Sequence, residues 1–307
     1  MHLLIDTVYK NYAVVNNPEI TLEANPDDLD EQKIIELSKS KINRLSIGIQ
    51  SFFEDDLRDM NRAHNAKEAR ASLAVANQYF DNITIDLIYG IPNMSLDKWQ
   101  KNLKIAFDFG VNHISSYALT IEPKTALDNF IKKGTYPPLD EALALVHFNH
   151  LMAEAENNGF VHYEISNFGK PDYFSKHNSS YWKGKMYLGI GPSAHSFNGK
   201  ARSWNISNNT KYIKSIESSK LPSDVEELSK TDRFNEYIMT SLRTIWGVSL
   251  VTIETEFGLD LKQHLLKASQ KYIDNGLLET SRDKSELLIT KKGKFLVDGI
   301  TSDLFMI

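Results

Sequence analysis

Between residues 19 and 121, short runs rich in β-branched and apolar side chains alternate with longer stretches in which apolar positions recur every three or four residues. The short runs fall at 19–23, 44–50, 83–89 and 113–121, and the helical stretches at 30–38, 53–61, 66–80 and 96–109. Ser95 stands where the last of these needs an N-cap, and Gly110 where it needs a terminator. Parallel strands can be joined only by a crossover long enough to hold a helix, so strand and helix in repeated alternation predict a parallel sheet with helices outside. The expected fold is α/β, a (β/α) barrel or part of one.

Farther on, the spacing predicts a long helix over 140–158, then the stretch YEISNFGKP and an aromatic and glycine-rich region reaching about residue 208. From about residue 229 the pattern changes to three helical segments, FNEYIMTSLRTIW, VTIETEF and LKQHLLKASQKYIDNG, followed by a hairpin, LLETSRDKSELLIT. That order resembles a winged helix. The expected domains are therefore 1–220, a partial barrel with an aromatic and glycine-rich extension, and 228–307, a small helical, winged-helix-like domain, with 220–228 as linker.

Composition narrows the function. The 307 residues are 41% hydrophobic, enough for a large core and a small one. They contain no apolar run of membrane-spanning length, and the amino-terminal sequence MHLLIDTVYKNY lacks the zones of a signal peptide, which points to the cytoplasm. A net charge of -5 with interspersed signs offers no field for nucleic acid or a membrane surface. The competing class, a winged-helix DNA binder, fails on the same ground: residues 228–307 carry eleven basic against eleven acidic side chains. No cysteine is present, so these residues form no disulfide, thiolate zinc site or iron-sulfur cluster.

In parallel barrels the loops that converge at the carboxy-terminal strand ends carry the chemistry. Glu23 of LEANP and Gln50 of SIGIQSF end the first two strands, and Asp86 lies inside the apolar run of the third. Arg62 in MNRAH adds a guanidinium able to clamp a carboxylate. A Glu or Gln at a strand end also serves as a plain loop cap. Asp86 requires a partner, because an unpaired carboxylate among Ile83, Ile85, Leu87 and Ile88 costs several kcal/mol, and a structural arginine would satisfy that requirement as well as a ligand.

LEANP, RLSIGIQSF, MNRAH, IDLIYGIP and SSYALTIEP occur in the order and approximate spacing of the radical S-adenosylmethionine (SAM) HemN/HemW family, and the resemblance runs from about residue 18 to the end. It implies an incomplete (β/α) barrel of radical SAM type, with Glu23, Gln50, Arg62 and Asp86 as the SAM contacts. Tyr89 and Gly90 would shape the loop where the cofactor nears the backbone. Family members begin with a CxxxCxxC strand that holds a [4Fe-4S] cluster and continue with a GGGTP loop; neither occurs here. Two strand-helix units therefore look absent, SAM cleavage is not expected, and the first remaining strand should present an open edge that favours self-association.

Within the family, KHNSSYW followed by YLGIGPSAHSF resembles the HNxxYW block of the heme-handling branch more than the oxygen-independent coproporphyrinogen III oxidases, which are the alternative. The resemblance implies heme or a porphyrin as ligand and a heme-accepting protein as partner. His177 is the candidate axial ligand, with Tyr181 and Trp182 to stack on the ring. Packing in a loop is the alternative reading of each. Glu164, His195 and the turn at Gly189, Gly191 and Pro192 belong to the same region, and His64 stands next to Arg62. The remaining histidines are expected to be structural or solvated.

Overall fold

The computed structural model describes residues 2–307, and its contacts divide the chain between Phe174 and Ser175 into two units. In the first unit the alternation read from the sequence builds a mixed sheet. Its strands are β1 (Thr21–Ala24), β2 (Arg44–Gln50), β3 (Ile83–Tyr89), β4 (His113–Ala118), β5 (Val161–Glu164) and β6 (Asn167–Gly169). The spatial order is β1-β2-β3-β4-β6-β5, with the first four parallel and the β5–β6 hairpin antiparallel to β4. The helices are α1 (His2–Asn11), α2 (Glu31–Ser38), α3 (Glu54–Asp59), α4 (Ala66–Tyr79), α5 (Leu96–Asp108), α6 (Ala126–Lys132) and α7 (Glu141–Asn157). Ser95 caps α5 by accepting from the Lys98 N–H at 3.2 Å, and Asn65 and Glu68 close a reciprocal capping box on α4.

Strand register explains which side is dry. Leu45 lies beside Ile83, and Ile47 beside Ile85, which in turn meets Ile114. These side chains share one face and are fully buried, as are Ala69, Leu73 and Ala76 of α4 and Trp99 and Leu103 of α5. The residues between them along each strand are polar: Thr21 and Glu23, Arg44 and Ser46, Thr84 and Asp86, His113, Ser115 and Tyr117. A parallel sheet covered on both faces normally reads as a continuous apolar run. Here period-two alternation gives the sheet one apolar and one polar face.

The second unit contains α8 (Lys176–Trp182), β7 (His195–Phe197), β8 (Ala201–Asn205), α9 (Asn209–Glu217), β9 (Ser223–Glu227), α10 (Lys230–Leu242), β10 (Val248–Ser249), α11 (Leu250–Thr252), α12 (Leu259–Asp274), β11 (Leu278–Thr280), β12 (Glu286–Ile289) and α13 (Val297–Leu304). A π-helical turn at Ile253–Phe257 joins α11 to α12. Strands β7-β8-β9 and β10-β12-β11 form two antiparallel sheets of three. Phe234, Ile238, Val248, Ile253, Leu265, Leu287 and Leu304 are fully buried and make the core of the helical part.

The expected hairpin at 277–290 is β11–β12. The stretch 220–228, expected as linker, instead contains β9, whose sequence SDVEE is almost wholly exposed and so carries no apolar period. The aromatic segment that the sequence grouped with 1–220 shares a unit with 228–307: Arg202 of β8 pairs with Glu236 of α10, and the Arg243 guanidinium lies 5.3 Å from the Trp182 ring centre. Among the described residues no helix is long and apolar enough to cross a membrane.

Candidate functional sites

The polar face of the first unit gathers Glu23, Gln50, Arg62 and Asp86. Glu23 is exposed on β1, Gln50 is buried at the end of β2, and Arg62 and Asp86 are half-buried. A register irregularity between Ile47 and Gln50 and a left-handed backbone at Gln50 (φ 63°) turn the strand end, as bulges do beside functional sites. His64 holds this corner: its Nε2 lies 3.1 Å from the Ile49 carbonyl oxygen, and the ring is buried. Tyr117 of β4 donates to the Gln50 Oε1 at 3.3 Å.

The charges on this face leave one another incompletely satisfied. Burial, and next the nearby Glu23 carboxylate, push Asp86 up to about 7, while Arg44, Arg62 and a hydrogen bond from Ser115 oppose the rise. Among the described residues no ion pair within 4 Å joins Glu23, Arg44, Arg62 and Asp86. Arg44 is 3% exposed; it donates to Thr84 and, at 3.4 Å, to Thr21, and its Nε has no acceptor. Burial lowers its pKa. A face with carboxylates and guanidiniums held apart suits a ligand that itself carries both signs.

Beneath it runs a closed relay. Thr84 lies 3.0 Å from the His113 Nδ1, and the His113 Nε2 lies 2.7 Å from the Tyr163 hydroxyl. With Thr84 accepting from Arg44, the three side chains form one continuous hydrogen-bonded chain from the guanidinium to Tyr163. Burial, and secondarily Arg44, hold the His113 pKa well below the ordinary range, so the ring is neutral. His113 is thus buried and held within this chain of hydrogen bonds.

Arg44, Ser115 and Tyr117 were missed as neighbours of the site. Their signal was the alternation RLSIGIQ and HISSYA, in which every second residue is polar. Tyr89 and Gly90 face the other way. Tyr89 is buried against Trp99 and Phe148, and a Cβ on Gly90 would meet the Ala144 Cβ at 3.1 Å, so the helix layer explains both. The Gly90 N–H donates to the Nδ1 of His147, which lies buried between them.

In the second unit, Ser175 caps α8 by accepting from the Asn178 N–H at 3.2 Å, leaving His177 exposed on the first turn. Its ring meets Tyr181 edge-on at 4.8 Å, Tyr181 meets Tyr187 at 4.6 Å, and Tyr187 lies 6.2 Å from Phe197. Trp182 turns instead toward Arg243, and its Nε1 is buried without an acceptor. The helix thus joins His177 to Tyr181 and parts both from Trp182. His195 lies on β7, exposed, 6.3 Å from the Trp204 ring, while Glu164 accepts from the Ser166 N–H and from Asn167 within the β5–β6 hairpin of the first unit.

Comparison with known proteins adds kinship to this geometry. Residues 3–106 match the Radical SAM superfamily, and residues 228–296 match the HemN C-terminal domain. The heme chaperone HemW of Bacillus subtilis (strain 168) is 33% identical over 282 residues, covering 91% of this chain and 73% of that protein. The heme chaperone HemW of Buchnera aphidicola subsp. Acyrthosiphon pisum is 36% identical over 304 residues, 97% of this chain and 77% of that protein. Among solved structures, coproporphyrinogen III oxidase (HemN) from Escherichia coli superposes with a TM-score of 0.82 over 99% of this chain and 73% of its own; at 22% identity this likeness is one of fold.

Proposed function

This chain belongs to the HemW family of radical SAM proteins, and from that premise we propose that it binds heme and delivers it to an acceptor protein. One observation carries the reading: the kinship to heme chaperones spans both units, 91% of the chain in one relative and 97% in another. In the second unit, His177 offers an exposed imidazole backed by a chain of aromatic rings, the chemistry of an axial ligand beside a flat cofactor.

The polar face of the first unit is assigned to SAM. Arg62 would take its carboxylate in a two-pronged hydrogen bond, and Glu23, Asp86 and Gln50 its ammonium and ribose hydroxyls. The unpartnered Arg44 Nε and the raised pKa of Asp86, which Arg44 and Arg62 only partly offset, support a ligand that carries both charges. In the radical SAM family, a [4Fe-4S] cluster supplies the electron that cleaves SAM. These 307 residues contain no cysteine to hold one, so the chain is expected to bind SAM without cleaving it.

Titration with hemin tests the heme assignment. The chain as it stands should shift the Soret band on binding, and His177→Ala should weaken that shift or abolish it. Identical spectra for the two would remove His177 from the ligand set, and the absence of any shift in the unaltered chain would overturn the heme reading.

A further inference from the structure

We propose that a cavity wholly within the second unit seats the flat ring of a tetrapyrrole and fixes its two carboxylates on a basic rim, so that the ring binds there even without a metal; this inference rests on the heme reading above. The cavity measures about 530 Å³, within the roughly 300–1,000 Å³ usual for small-molecule sites. Two groups of rings border it: Tyr181, Tyr187 and Phe197 from α8 and the segment around β7, and Tyr237 and Phe257 from α10 and the π-helical turn. The first group is linked edge-on at 4.6 Å, and the rings of the second lie 6.0 Å apart. Tyr237 is fixed by the Ser249 N–H, which donates to its hydroxyl at 3.2 Å. Aromatic faces offer a planar macrocycle contact area with little side-chain entropy to lose.

The rim carries the charge that a dicarboxylate needs. Lys183, Lys185, Arg202 and Arg233 face two carboxylates, Glu236 and Glu256, which leaves two positive charges over. Arg202 is already paired with Glu236, and Lys183 rests 4.0 Å above the Trp246 ring. Among the described residues Lys185 and Arg233 enter no ion pair, so they are the groups a carboxylate would meet. His177 does not line the cavity; it touches the wall through Tyr181. Ring seating and axial ligation are thereby separable, and the metal-free porphyrin reports on the first alone.

The experiment uses the full chain and follows quenching of its intrinsic fluorescence by metal-free protoporphyrin IX and by its dimethyl ester. The acid should bind, and Arg233→Glu and Lys185→Glu, both at solvent-accessible positions, should each bind it at least tenfold more weakly. The dimethyl ester, which needs no variant, should bind the unaltered chain at least tenfold more weakly than the acid. Equal affinity across the charge reversals and the ester would overturn the proposal. A chain that binds hemin through His177 but not metal-free protoporphyrin would also overturn it while leaving the heme reading in place.

Discussion

Asp86 is the residue whose environment has the clearest consequence. Its carboxyl stays protonated up to about 7 in the folded chain, against about 3.9 when unfolded. Between those values the folded state binds more protons, so the contribution to stability is full below the unfolded pKa and is lost as pH rises through the folded one. A shift of that size corresponds to at most about 4 kcal/mol, and water at the half-buried side chain reduces it. Asp86→Asn should therefore resist urea better than the unaltered chain at pH 8, with the advantage shrinking toward pH 5. A difference that does not vary with pH would show that burial is not what sets this pKa. Asp86 was legible in the sequence because a carboxylate inside an apolar run demands explanation. Arg44 and Tyr117 carried a weaker signal, the polar alternation of RLSIGIQ and HISSYA, and only register brings them onto the same face.

At the scale of elements, the parallel strands and their helices were legible because each carries its own period, reinforced by caps such as Ser95 on α5. The β5–β6 hairpin and β9 escaped for the opposite reason. Strands of three to five residues, paired at an edge or largely exposed, give too few alternations to register. The β11–β12 hairpin was legible, and its packing turns on a residue outside it. Gly247 adopts φ 66°, and a Cβ there would strike the Leu288 side chain and lie 2.6 Å from the Leu287 carbonyl oxygen. Gly276 has a similar φ of 68° but nothing within 4 Å of its Cβ position. Gly276→Ala should cost only the left-handed backbone penalty of about 1–2 kcal/mol. Gly247→Ala adds an overpacking penalty of about 1–3 kcal/mol. Thermal unfolding of the two variants separates these contributions, and equal midpoints would show that the hairpin yields without cost.

At the scale of the molecule, the division at Phe174 was not legible, because contacts such as Arg202 with Glu236 join segments that share no period. The open edge of the sheet was, and its surroundings sharpen what it implies. Among the described residues β1 pairs with β2 alone, and β1 is only four residues long, so the backbone groups left unpaired number few and are worth roughly 0.5–1.5 kcal/mol each. The exposed apolar surface of the amino-terminal segment matters more. Leu3, Leu4, Tyr12 and Val15 are 78%, 71%, 62% and 72% exposed, and α1 buries no residue at all. A ten-residue helix is marginal in water without a packed face. An exposed ion pair between Asp6 and Lys41 and the Lys41 ammonium over Tyr9 are its visible ties, and exposed pairs stabilise little. At about 25 cal/mol per Å², covering such a patch offsets the cost of association once a few hundred square ångströms are buried. We therefore expect the chain to self-associate through α1 and the β1 edge at micromolar concentration. Light scattering after size exclusion should give more than one chain per particle, and replacing Leu3 and Leu4 together by lysine should return it to one chain and weaken binding of a dye for apolar surface. An unaltered chain that runs as a dye-silent monomer would mean that α1 finds its cover within the same molecule, and that the open edge does not drive assembly.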